Sequence, residues 1–140
     1  MENDLSDRCN AIEECYEFML AYAAQGLPTD QGSQSGGQLR EFLGRTVQAV
    51  SGLAAAYTAA VKQEGLLPAE QYQAFLAVLD RDAGDSLAAI GLVLAQPAIS
   101  SQLIDNLNAS IHLRALLTDL FLIDEIFKLQ RHQGTHASTS

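Results

Sequence analysis

Three histidines, two cysteines and a scatter of aspartates are the residues of this chain with the chemistry to hold a metal or move a proton. His112 is the best placed of them. On a helix it shares a face with Asp105, Asn108 and Asp119, at offsets of minus seven, minus four and plus seven. Such a row, joined by a tyrosine, could line an internal ligand or metal site; it could equally be the wet side of the helix. Helical bundles that hold two metal ions use Glu residues and a pair of Glu-x-x-His motifs, and neither copy of that motif occurs here. The other two histidines, His132 and His136, fall in a polar C-terminal stretch.

The remaining candidates lack the spacing their chemistry requires. Asp80, Asp82 and Asp85 open like a calcium loop, but its fifth position would be Gly84, its sixth Asp85 and its twelfth Gly91, where a bidentate Glu is needed. Gly32-Ser-Gln-Ser-Gly-Gly37 precedes a helix and could offer backbone N–H groups to an anion. It has neither the Lys nor the following Ser/Thr of a phosphate loop, although Arg40 and Arg45 lie nearby. Cys9 and Cys15 have Asp7, Glu13 and Glu14 around them, charges that disfavour a thiolate, so both read as core thiols. No Ser-His-Asp order and no paired-carboxylate spacing stands out. No catalytic residue, bound cofactor or metal ligand is therefore assigned.

The elements that would position any site are helices. One stretch dominates: Ser100–Arg131, and above all Leu113–Leu129. Leu113, Leu116, Leu120, Ile123 and Phe127 make a stripe at helical spacing, and Leu117, Phe121, Leu122, Ile126 and Leu129 widen it on both sides. A helix with one packed face needs roughly three apolar positions in seven, and this segment has more. It is expected to be covered on most sides, in part by a second copy of the chain through Leu117, Phe121, Leu122, Ile126 and Leu129.

The first helix runs from a cap at Asp4 or Ser6 to a stop at Gly26 and Pro28, with Leu5, Cys9, Ile12, Tyr16, Met19 and Ala23 as its stripe. Six of its residues are acidic (Glu2, Asp4, Asp7, Glu13, Glu14 and Glu17) and only Arg8 is basic, a local charge of −5. Glu13, Glu14 and Glu17 form an acidic face suited to a basic partner protein. Leu27–Gly37 reads as a mobile linker. A second helix is expected over Gln38–Glu64, and a third from Pro68 to Gln96 with a kink or split near Gly84, where Asp85 could cap a new start. The fourth opens at Pro97. Helices two to four are each about 40 Å long at 1.5 Å per residue.

These lengths and short turns predict an all-α fold, an antiparallel up-and-down four-helix bundle forming one domain over residues 1–131, with a disordered tail over 132–140. The composition agrees. Apolar residues make up 48% and charged residues 18%, enough for a core in a chain of 140 residues. A net charge of −9 with only two lysines argues against nucleic acid and against anionic membrane surfaces. No run reaches the roughly 18 apolar residues of a spanning helix, and no leader pattern opens the chain. Two cysteines six apart on one helix cannot readily bridge, which suggests the cytoplasm. The function expected on this reading is that of a small non-catalytic accessory or adaptor protein, working as a homodimer and through contacts with another protein, with an internal site around His112 as the rival.

Overall fold

A computed structural model describes the backbone of residues 2–139 and the side chains of residues 4–131. The chain is all-α. Among the described residues there are six helices and no strand: α1 (Glu2–Ala24), α2 (Gln34–Val50), α3 (Leu53–Glu64), α4 (Ala69–Leu94), α5 (Ser101–Ala109) and α6 (His112–Thr139). Six rather than four arise because two of the expected long helices are each interrupted once. The disordered tail expected over 132–140 lies outside the residues whose side chains are described.

The first interruption is at Ser51–Gly52. Gly52 has φ +79°, a left-handed conformation that a helix cannot continue through, and it begins α3. The second is at Ser110–Ile111. Here the non-glycine Ile111 has φ +67°, and Ser110 closes α5 by donating its N–H to Asn106 and Leu107 carbonyls. Ser100, and not Pro97, caps α5, its hydroxyl accepting from the Leu103 N–H at 3.0 Å. By contrast α4 is continuous through Gly84, against the kink or split expected there. Pro68 is its N-cap and not its first helical residue, and the Leu67–Pro68 bond is cis.

The Gly/Ser-rich segment after α1 is not a free linker. Ser33 caps α2, which starts at Gln34, inside the stretch expected to be mobile. Asp30 is buried, and its carboxylate accepts from the Ile99 N–H at 2.7 Å and from Arg40 Nε at 2.5 Å. Arg40 in turn donates to the carbonyls of Leu94, Gln96 and Pro97. Ser101 accepts from the Leu27 N–H and donates to the Tyr22 carbonyl, while the Tyr22 hydroxyl donates to the Ile99 carbonyl. The α1–α2 and α4–α5 connections are therefore knotted to each other by hydrogen bonds. Gly36 lies so close beneath that any Cβ there would overlap the Asp30 carbonyl.

Packing follows the apolar stripes. The α1 helix lies mainly on α2 and α5, whereas α4 lies on α6, α3 and α2. The inner face of α1 is Leu5, Cys9, Ile12, Cys15, Met19 and Tyr22, one register step from the expected Tyr16 and Ala23, which are half-buried. Phe18 of α1 stacks on Phe42 of α2 with ring centres 4.6 Å apart. Contact between α1 and α6 is shorter than either helix, which leaves a seam open between them. No helix among the described residues is long and apolar enough to cross a membrane.

Candidate functional site

The seam between α1 and α6 gathers the groups with the most to offer. Tyr57 of α3 is fully buried, yet its hydroxyl reaches the seam and donates to Asp124 Oδ1 at 2.5 Å. Cys9 of α1 lies 3.6 Å from Asp124 Oδ2, with the thiol as donor, and 3.3 Å from the Tyr57 oxygen. Both hydrogens are thus directed at one half-buried carboxylate. Burial pushes the Cys9 thiol up to about 11, outweighing the hydrogen bond with Tyr57 that acts against it, and the negative Asp124 adds to the rise. Burial, followed by the bond to Asp124, carries Tyr57 far above the ordinary phenol value. Neither group ionises near neutral pH, so the trio is a carboxylate held by two donors and has no nucleophile.

A hollow of about 250 Å³ opens over Cys9 and Asp124, lined also by Leu5, Ser6, Glu13 and Lys128. Further along the same seam a second hollow of about 180 Å³ brings Glu13, Tyr16 and Glu17 of α1 opposite Arg114, Leu117 and Phe121 of α6. Glu13 belongs to both. The acidic face expected on α1 and the apolar surface expected on α6 are therefore neighbours along one seam, although Glu14 points away to solvent.

The self-association residues separate on burial. Leu117 is 5% exposed and belongs to the core, and Ile126 is half-buried against it. Phe121, Leu122 and Leu129 are 55%, 51% and 51% exposed. At 3.6 residues per turn Arg114, Thr118, Phe121, Leu122, Glu125 and Leu129 occupy one outward arc of α6. Among the described residues neither Arg114 nor Glu125 has an ion-pair partner.

The His112 row does not converge. Ile111 breaks the helix between its members, so Asp105 stays on α5, exposed in a hollow with Leu20, Leu27 and Gln102. Asp119 faces α4 instead and meets Asp82. His112 is half-buried, with its backbone carbonyl accepting from the Ser86 hydroxyl at 3.1 Å. Both side-chain amide atoms of Asn108 are sealed from solvent without a partner. Among the described residues no three His, Cys, Asp or Glu side chains are grouped to hold a metal ion.

Sequence reasoning missed the Cys9–Tyr57–Asp124 trio because its members lie 48, 67 and 115 residues apart and both Cys9 and Tyr57 fit the apolar stripes of their own helices. The one available signal was Asp124, an acid set between Ile123 and Phe127 in the most apolar segment of the chain. Comparison with protein-family models, with curated proteins and with solved structures finds no match to this chain.

Proposed function

We propose that this protein is a non-catalytic helical accessory module that works through protein–protein contacts, pairing with a second copy of itself through the outward arc of α6. The observation that carries this reading is the exposure of Phe121, Leu122 and Leu129 on a helix whose opposite face is fully packed. Large apolar side chains clustered on one arc form the kind of patch that marks an interaction site. The charges favour an antiparallel pairing: Arg114 and Glu125 sit eleven residues apart on the same arc, so a two-fold axis sets Arg114 of each copy toward Glu125 of the other. Covering a side chain that is already half-buried contributes about 1 kcal/mol, or about 6 kcal/mol for three residues on each copy. Association costs about 4 kcal/mol at the least, so these six side chains alone leave about 2 kcal/mol. Pairing at tens of micromolar takes about 6 kcal/mol, and the two Arg114–Glu125 contacts and the rest of the arc must supply the difference. The acidic edge of α1 beside Phe121, formed by Glu13 and Glu17, is where a basic partner protein would meet the same seam. Two free, buried cysteines fit a reducing compartment such as the cytoplasm.

Light scattering on the purified protein tests the pairing. The expected mass is twice the 15.0 kDa of the chain. Leu122→Glu with Leu129→Glu should return it to a single chain without unfolding it, because both residues are half exposed. A single-chain mass for the unmutated protein across the micromolar range defeats the reading.

A further inference from the structure

The α4–α6 interface contains a pair of like charges that the proposed function leaves unused. Asp82 is half-buried on α4, one turn before Ser86, whose hydroxyl bonds the His112 carbonyl at the start of α6. Asp119 lies two turns further along α6, and its carboxyl comes within hydrogen-bonding reach of Asp82. Its Oδ2 is shut off from solvent and has no donor among the described residues. A carboxylate oxygen buried without a donor is a costly arrangement, and a second carboxylate facing it raises the cost. One proton placed between the two supplies the missing donor and removes the repulsion together.

No other group supplies it. On α4 the flanking charges are Arg81 and Asp85, both exposed, and on α6 the nearest titratable group on that face is the half-buried His112. From α5 comes only the exposed Asp105, in a separate hollow. The α3 helix brings Lys62 to Asp80 across a different hollow. On α2, Arg40 is committed to Asp30, and Arg45 lies 4.0 Å from Glu41.

We propose that Asp82 and Asp119 form a proton-operated clasp between α4 and α6, closed by one shared hydrogen bond when protonated and opened by mutual repulsion when both are ionised. Burial, reinforced by the facing Asp82, lifts the Asp119 carboxyl to about 7, which puts the transition in the physiological range. The direction follows from linkage. Between about pH 4 and pH 7 the folded chain keeps a proton that the unfolded chain has released. The clasp therefore contributes fully below about pH 4, and its contribution is lost as pH rises through 7.

Thermal unfolding at a fixed protein concentration, at pH 5 and at pH 8, tests this. Asp119→Asn presents a permanent N–H donor to Asp82, and Asp82→Asn does the reverse. Each should melt roughly 3 °C higher than the wild type at pH 8 and close to it at pH 5. Asp85→Asn removes an equal charge from exposed α4 surface and should do neither. Three results overturn the clasp: Asn variants that follow the wild type at both pH values, an equal gain from Asp85→Asn, or restoration of the pH 8 loss by millimolar calcium or magnesium, which would make this a cation site. Should the variants not fold, a carbon NMR titration of Asp119 in the wild type decides the matter, and a midpoint at the ordinary aspartate value refutes it.

Discussion

At the scale of single residues, the trio around Asp124 shows how one charge is tolerated inside a helical interior. A half-buried carboxylate needs donors, and Tyr57 and Cys9 supply them from two other helices. Tyr57→Phe keeps the ring and its edge-on contact with Phe127 but removes the stronger donor. A hydrogen bond to a charged group is worth about 1.5–3 kcal/mol, so chemical denaturation should report a loss of that size. The same burial governs the thiols. Cys9 and Cys15 are both pushed up to about 11, so at pH 8 only about a thousandth of either is thiolate, and both are buried. A thiol-labelling reagent should modify neither in the folded protein and both in denaturant. Rapid labelling of either one under native conditions would contradict the packing described.

At the scale of elements, the backbone conformations that break the two long helices have measurable consequences. Ile111 holds a left-handed conformation that a β-branched residue adopts only under strain, and it is 57% exposed, so little packing rewards it. Ile111→Gly relieves the strain and adds some unfolded-state freedom in return. The net expectation is a gain of about 0.5–1 kcal/mol in stability by denaturant titration. Gly52→Ala works the other way, because at φ +79° the new Cβ is strained wherever it points, and should cost about 1 kcal/mol or more. A Gly84→Ala change inside the continuous α4 meets open space and should stabilise by a comparable amount.

At the scale of the whole molecule, the Asp30–Arg40 tie joins the α1–α2 connection and the start of α2 to the loop before α5. Asp30→Ala would leave the Ile99 N–H without its acceptor and Arg40 without its counter-charge. Breaking a buried pair costs about 3–5 kcal/mol, but the Arg40 guanidinium reaches water, so about 2–3 kcal/mol is expected. The bond from Arg40, more than any other influence, holds the Asp30 carboxyl below its ordinary value. Its contribution is present above about pH 4 and lost as pH falls through that lowered value. With the Asp82–Asp119 pair acting oppositely at higher pH, the melting temperature should peak on the acid side of neutrality. A flat profile between pH 4 and pH 8 would contradict both assignments. The proposed pairing adds a further signature: the wild-type melting temperature should rise with protein concentration, and that of the Leu122→Glu, Leu129→Glu variant should not.

The amino-acid sequence by itself determined that this chain is helical, because apolar spacing of three and four is a local property that each segment carries without its neighbours. It also determined which side of α6 is buried, since Leu113, Leu116, Leu120, Ile123 and Phe127 all lie in the core. The helix count was beyond it. Gly52 stops a helix only because it turns left-handed, whereas Gly84 and Gly91 do not, and nothing local to the three glycines distinguishes them. The linker was misread for a related reason: Leu27–Gly37 is polar and glycine-rich, but its Asp30 finds Arg40 and the Ile99 N–H, and Gly36 is required by close approach and not by flexibility. Asp119 and Asp124 look alike in the sequence, five residues apart on one helix. Only the tertiary structure sends the first against another carboxylate and the second between a phenol and a thiol, because the partners come from α1, α3 and α4, and that meeting is fixed by packing and not by spacing.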